Sequence, residues 1–523
     1  MIRSKSLFLI ALFFPIVLGA QAFDFDVVHS SQKKLKMGQQ FGDVIHEHPQ
    51  YIYTITRRSI NGILEEKELE LEVFDKELKR VRSKSLSLEY KGNIVQYERL
   101  ILMGDKLYLF TSYFNTSKKV NFLFAEVYDA NSLKRLKRME IVGQFESVNR
   151  FESGLIGFKK SFDKSKLLVY CQLASKKEDP ERVYALVFGE GMEVEWERVL
   201  ELGIEDRDIN IFDYEVSING DVFLLGLTKD INGKDTGKFM LSSFTNLGTE
   251  KHEYKLSFQD KIISDVRFKV NSTGELLIAG LYGLSSRKKA KGTVFFRIDP
   301  KSKKILASKT AEFSDDVLLE ASNIRSQKRK EKYLSDDSRL DRLELDNFVV
   351  RELIPRSDGG LLMMVERFYV REYRSMNTGF YNGVRNNGTV SYTYHYEEII
   401  VFNIRPDGSL DWSTMIPKYQ SSINDGGFYL GYTYLVGPKG IFFVFNDMGN
   451  TRRSFEDGFS FRNDFSTPVI WRLGQDGSID KRELSVLNNG IKIVPRFTKQ
   501  VGSSKWFVYQ GRKGNQQISL LKL

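Results

Sequence analysis

The reading of this chain turns on Phe212 to Phe313, where one four-strand pattern is written out twice. The first copy is FDYEVSI (Phe212 to Ile218), a turn at Asn219-Gly220, DVFLLGLT, a polar loop, KFMLSSF, a turn at Asn246-Leu247-Gly248, and EYKLSF. The second is DVRFKV (Asp265 to Val270), a turn from Asn271 to Gly274, LLIAGLY, a basic loop, GTVFFRID, a turn from Pro300 to Lys303, and ILASKTAEF. Runs of about five to eight alternating or apolar residues, rich in β-branched and aromatic types and separated by Asn, Gly, Asp and Pro, mark antiparallel strands. A repeated unit of roughly fifty residues predicts the blades of a β-propeller.

Carried outward, the template predicts blade 1 over Gly42 to Leu88, blade 2 from Tyr97 to Val142 and blade 3 from Gly154 to Leu202. Blades 4 and 5 are the template itself. Blade 6 runs from Phe348 to Pro417, swollen in its middle, and blade 7 from Tyr429 to Leu487. The chain then ends three strands into blade 8, with IVPRFTKQ, KWFVYQG and ISLLKL. The missing fourth strand is expected from FDFDVVHSS (Phe23 to Ser31), which precedes blade 1 and belongs to no blade of its own. Closing the ring this way leaves no unpaired edge. The expected fold is therefore all-β, an eight-bladed β-propeller closed by an N-terminal strand in the last blade, with a seven-bladed ring as the alternative. Between blades 5 and 6, Ser314 to Leu345 breaks the strand pattern. Asp315-Asp316 in front of an apolar spacing and Lys328, Arg329, Lys330 and Lys332 behind it suit a short helical insertion.

The chain opens with a basic head, MIRSKS, then LFLIALFFPIVLGA and a small-x-small site at Ala20-Gln21-Ala22. That is the form of a secretory signal peptide, with cleavage expected after Ala22. Residues 23–523 then make a single propeller domain, periplasmic or secreted, with no transmembrane segment. Cys171 is the only cysteine, so no intramolecular disulfide staples the fold, and its strand LLVYCQL makes it a buried hydrophobe. Over the full chain, 78 basic residues outweigh 68 acidic ones.

Strand direction sorts the connections onto two faces. First-to-second and third-to-fourth turns share one face and are uniformly tight, as at Asn219-Gly220 and Pro406 to Ser409. The other face receives every long segment: Ser314 to Leu345, Val370 to Tyr396, Tyr419 to Phe428 and Asn446 to Thr467. Loops held by a rigid scaffold are where function concentrates, so the site is expected there. Basic groups fall in the same connections, among them Arg57-Arg58, Lys118-Lys119, Arg287-Lys288-Lys289 and Arg452-Arg453, which would favour an anionic partner. Equally, such residues are common in any solvated loop.

In blade 6, VREYRSMNTGFYNGVRNNGTVSYTYHYEE interleaves tyrosine with arginine, the pairing enriched at recognition surfaces. The candidate binding residues are Tyr369, Tyr373, Arg374, Tyr381, Arg385, Tyr392 and Tyr394, with Arg452 and Arg453 from the blade 7 loop. The alternative is that Tyr392, Tyr394 and Tyr396 form one face of an extended hairpin. His395 with Tyr394 and Arg374 is the one constellation suited to acid-base work, in the manner of a polysaccharide lyase. Histidines in aromatic hairpins are also ordinary packing residues.

Other chemistry is not written in the chain. His46 and His48 share a strand face, but two ligands make no zinc site. Asp230 to Asp235 resembles part of a calcium loop and lacks the closing bidentate Glu. Neither a nucleophile elbow nor a phosphate-binding glycine loop is present. No metal, cofactor or nucleic-acid partner is expected.

The succession LIPRSDGGLLMMVERFYV, EEIIVFNIRPDGSLDWSTMIPKYQ, NDGGFYLGY and GIFFVFND resembles a group of uncharacterised secreted β-propeller-like proteins of Gram-negative bacteria. The resemblance implies a fold and a compartment, and brings no site residues. The expected function is a monomeric, non-catalytic binding platform for an envelope or extracellular glycan or a protein. The alternative is a lyase or hydrolase of acidic polysaccharide.

Overall fold

The computed structural model describes residues 25–523 apart from 37–38, 47, 61–62, 148–154, 174–177, 231, 323–326, 375–379, 382–383, 386–389, 449–465, 488–489, 503 and 513. Eight antiparallel sheets stand in a ring, one per blade. In blades 1 to 7 the first strand in sequence is innermost and the chain steps outward; in blade 8 the N-terminal strand supplies the outer edge. Blade 4, for example, runs Ile209–Val216, Val222–Lys229, Asp235–Thr245, Glu250–Leu256. The ring closes as the sequence implies. Asp26–His29 lies antiparallel to Asn515–Lys522, with Val27 opposite Leu521 and His29 opposite Ser519. Lys33–Lys34 continues along the same strand.

Why the ring holds is visible in its second strands. Leu276–Gly283 is buried at every position because both faces of the sheet meet a neighbouring blade. It therefore reads as a continuous apolar run rather than an alternating one. Each adjacent pair of blades encloses its own apolar layer. The layer joining blade 8 to blade 1 packs Phe507, Tyr509 and Leu520 against Phe41, Val44 and Ile52. At about 1.5–3 kcal/mol per buried large side chain, such layers are the main source of stability in a fold with no disulfide. Cys171 belongs to the layer between blades 2 and 3, where burial pushes its thiol up to about 12.

Helix occupies the expected interval but is divided into Asp315–Glu320, Gln327–Leu334 and Asp337–Asp341. Ser314 caps the first by accepting from the Val317 N–H, and Leu318, with Val317 beside it, anchors it to the layer between blades 5 and 6. The calcium-like stretch is a hairpin: Asp230 Oδ1 accepts from the Asn232 and Lys234 N–H groups, both at 2.9 Å.

The long connections knit together on one face. Lys289–Ala290, in the blade 5 loop, pairs with Leu345–Asp346 at the end of the helical insertion. Gln420–Ile423, in the crossover to blade 7, adds to the third strand of blade 6. The Met448 N–H reaches Tyr419 O at 3.2 Å.

Candidate functional site

Blade 6 departs from the template in length. Its second and third strands, Leu361–Arg374 and Val390–Ile404, have 14 and 15 residues where those of blade 5 have 8 each. The surplus runs past the disc as a two-stranded arm, and Gln420–Ile423 makes it three-stranded where it leaves the blade.

Strand alternation divides the candidate residues between the faces of this arm. Tyr369, Arg371 and Tyr373 lie with Thr393 and His395 on one face. Val370, Glu372 and Arg374 lie with Tyr392, Tyr394 and Tyr396 on the other. Near the tip, Val370, Tyr373, Val390 and Tyr392 are 43%, 51%, 45% and 42% exposed. Arg374 is exposed and pairs with Glu372. Phe380–Tyr381 pairs with Val384–Arg385 as a short ladder, which places the backbone of Tyr381 and Arg385. Arg452 and Arg453 lie outside the described residues.

His395, Tyr394 and Arg374 are not brought together. The His395 ring is buried and stacks on Tyr369, with centroids 4.5 Å apart, on the face opposite Tyr394. Tyr369 pairs in register with His395 whereas Arg374 pairs with Val390, about 16 Å farther along at ~3.3 Å per residue. What surrounds His395 is a packed polar cluster. Tyr369 donates its hydroxyl to Glu397 at 2.8 Å, and Arg371 lies 5.1 Å from the Tyr369 ring centre. Burial, then the Glu397 carboxylate, raises the Tyr369 phenol above its ordinary value.

The root of the arm is fixed by buried charge. Lys418, with no exposed side-chain surface, donates to Glu366 at 2.8 Å and to Gln420 at 3.2 Å. Arg351 holds the other Glu366 oxygen at 2.7 Å and faces the Phe368 and Tyr396 rings. Arg367 pairs with Glu398 at 3.3 Å and donates to the Ala321 carbonyl, tying blade 6 to the first inserted helix. Gly427 in the crossover, at φ +70°, brings its backbone against the Tyr396 ring, where an added Cβ would stand 2.9 Å away. Part of the side-chain charge on this face is spent on architecture. Arg287 pairs with Asp235, Lys289 with Asp346, and the buried Lys291 donates to Leu340 O.

The hub shows a device that the strand reading missed. On the innermost strands of blades 1, 4, 5 and 6 a bulge at Gly42, Phe212, Ser264 and Arg351 is followed by Asp43, Asp213, Asp265 and Glu352. Each carboxylate accepts from the next backbone N–H, at 2.8 to 3.1 Å, occupying a donor beside the interrupted ladder. Opposite the blade 5 bulge, Gly280 passes so close that a Cβ would meet Asp265 O at 2.2 Å. The acids also join the blades. Lys159 bridges to Asp213 and Glu215, and Lys269 bridges Glu215 to Glu352. The apolar-x-acid-apolar pattern at the start of these four blades was the available signal.

No protein-family description and no curated protein sequence matches this chain. Among solved structures it is similar to the WD40 domain of SCAP from fission yeast, at 12% identity over 95% of this chain and 98% of that one, TM-score 0.40. It is also similar to the β-propeller domain of the Trilobed protease from Pyrococcus furiosus, at 11% identity over 89% and 99%, TM-score 0.36. These likenesses concern the propeller fold and carry nothing about ligand or activity.

Proposed function

We propose that the protein is a non-catalytic recognition platform that engages an envelope or extracellular glycan, or a protein, through the blade 6 arm. The observation that carries this reading is that Tyr373 and Tyr392, exposed on opposite faces of the arm near its tip, stand on strands fixed at the root by a buried Lys418–Glu366–Arg351 brace. Aromatic rings held on paired strands offer contact area with little entropy left to lose on binding. The packing of His395 against Tyr369, away from Tyr394 and Arg374, favours recognition over lyase chemistry. The leader residues support export, with removal after Ala22 into the periplasm or beyond, and no helix among the described residues is long and apolar enough to cross a membrane.

The test is calorimetric titration with a panel of neutral and acidic oligosaccharides, read in parallel for new reducing or unsaturated ends. Binding without turnover is expected, weakened at least tenfold by Tyr373→Ala or Tyr392→Ala. Turnover abolished by His395→Ala would move the protein into the enzyme class. Amino-terminal sequencing of the exported protein should begin at Phe23.

A further inference from the structure

The tight-turn face carries a site of a different kind. Around the mouth of the hub, turns of blades 1, 3 and 8 enclose a cavity of about 750 Å³. His46, His48, Lys76, Lys164 and Lys505 line it, and no carboxylate is among its described lining residues. Among the described residues neither Lys76 nor Lys505 forms an ion pair. The Lys76 ammonium donates to His48 O, at 3.0 Å. His48 Nδ1 accepts from the Gln50 and Tyr51 N–H groups, both at 3.1 Å, so the ring carries its proton on Nε2.

The cations here press on one another. Burial, then the charge of Lys505, lowers the Lys76 ammonium below its ordinary value. Burial, then Lys76, lowers His48, against Asp105 from the neighbouring turn of blade 2. His46 also lines a second cavity of about 270 Å³ that enters the hub beside Asp43, Arg99, Lys160 and Lys499. Asp43 is the one acid among its described lining residues and pairs with Arg99 at 3.4 Å, while Lys160 donates to Leu102 O at 2.8 Å. Across the hub, in blades 3 to 6, acid and base alternate and pair. Positive charge is thus concentrated in one quadrant, in a concavity of the size that holds small molecules.

We propose that this turn-face mouth, lined also by Lys164, binds a small polyanion, a molecule with two or more phosphate or carboxylate groups, between Lys76 and Lys505. The site lies on the face opposite the blade 6 arm and does not depend on what the arm binds. The Lys76 and Lys505 ammonium groups act as rotatable point-charge donors, and His48 presents a neutral imidazole to the same space.

Thermal unfolding of the whole chain in pyrophosphate or citrate, against sodium chloride at matched ionic strength, is the first measurement, followed by calorimetry. The expected result is a rise in Tm that saturates with ligand. Pyrophosphate and citrate separate phosphate from carboxylate preference. Lys76→Ala with Lys505→Ala should weaken affinity at least tenfold, while Lys505→Arg stays within about threefold of the parent. Should the double variant fold poorly, Lys505→Gln alone carries the test with an expected loss of about threefold or more. A shift no larger than that in sodium chloride, or equal affinity in parent and Lys505→Gln, overturns the proposal.

Discussion

The two faces of the disc treat charge in opposite ways. At the root of the blade 6 arm, Lys418, Arg351 and Arg367 meet Glu366 and Glu398, and nearly all of that charge is buried. At the turn-face mouth, Lys76, Lys164 and Lys505 converge on a cavity with no described carboxylate in its lining. The first arrangement is architecture, because a buried ion can be tolerated only when it is paired. The second is paid for in stability and is what an anion would relieve.

The comparison breaks first at the arm. Glu366→Ala leaves a fully buried Lys418 ammonium without its carboxylate, and a loss of about 3–5 kcal/mol is expected. Denaturant unfolding reads this as a lower midpoint with unchanged slope. Combining Glu366→Leu with Lys418→Met should cost less than Glu366→Ala alone, and an equal or greater loss would deny the charge brace its role.

At the hub, Glu98 occupies the bulge of the first strand of blade 2, and burial pushes its carboxyl up to about 7 against the Ser112 hydroxyl. Its value in the unfolded chain is near 4.5. The folded state therefore holds the proton more tightly, and the stability contribution present below the unfolded value is lost as pH rises through the folded one. Glu98→Gln should remove this slope, making the variant more stable than the parent at pH 8 by on the order of 1–3 kcal/mol and nearly equal at pH 4.5. Tm measured across that range checks the sign.

Smaller effects sharpen the contrast. Lys505→Ala, in the absence of ligand, should leave stability unchanged or raise it by up to about 0.5 kcal/mol at low salt, since it removes repulsion rather than a bond. Added salt should erase that gain. Tyr392→Ala at the exposed tip should shift stability by less than about 0.5 kcal/mol, so any change in binding is read without a folding correction.

Most of the fold was legible because blades are local. Each second strand is enclosed between its neighbours, so apolar runs such as LLIAGLY announce themselves, and the turn residues between them set the hairpins. The helical insertion was legible as an interval and as a type. Its division into three was not evident from a single apolar spacing, and the first piece ends at Ala321, whose carbonyl is taken by Arg367 from a distant strand. The blade 6 tyrosines were legible as a cluster. Which of them share a face depends on strand register, and that separates His395 from Tyr394 and places Arg374 beyond its reach.

What the chain determined by itself is the succession of strands, the turns that join them and the strand left over at its start to finish the last blade, because these follow from periodicity and turn chemistry over a few residues. Only the closed ring decided which charges meet. Lys76, Lys164 and Lys505 belong to three blades far apart in sequence. Electrostatic energy depends on distance through space, which no local pattern records.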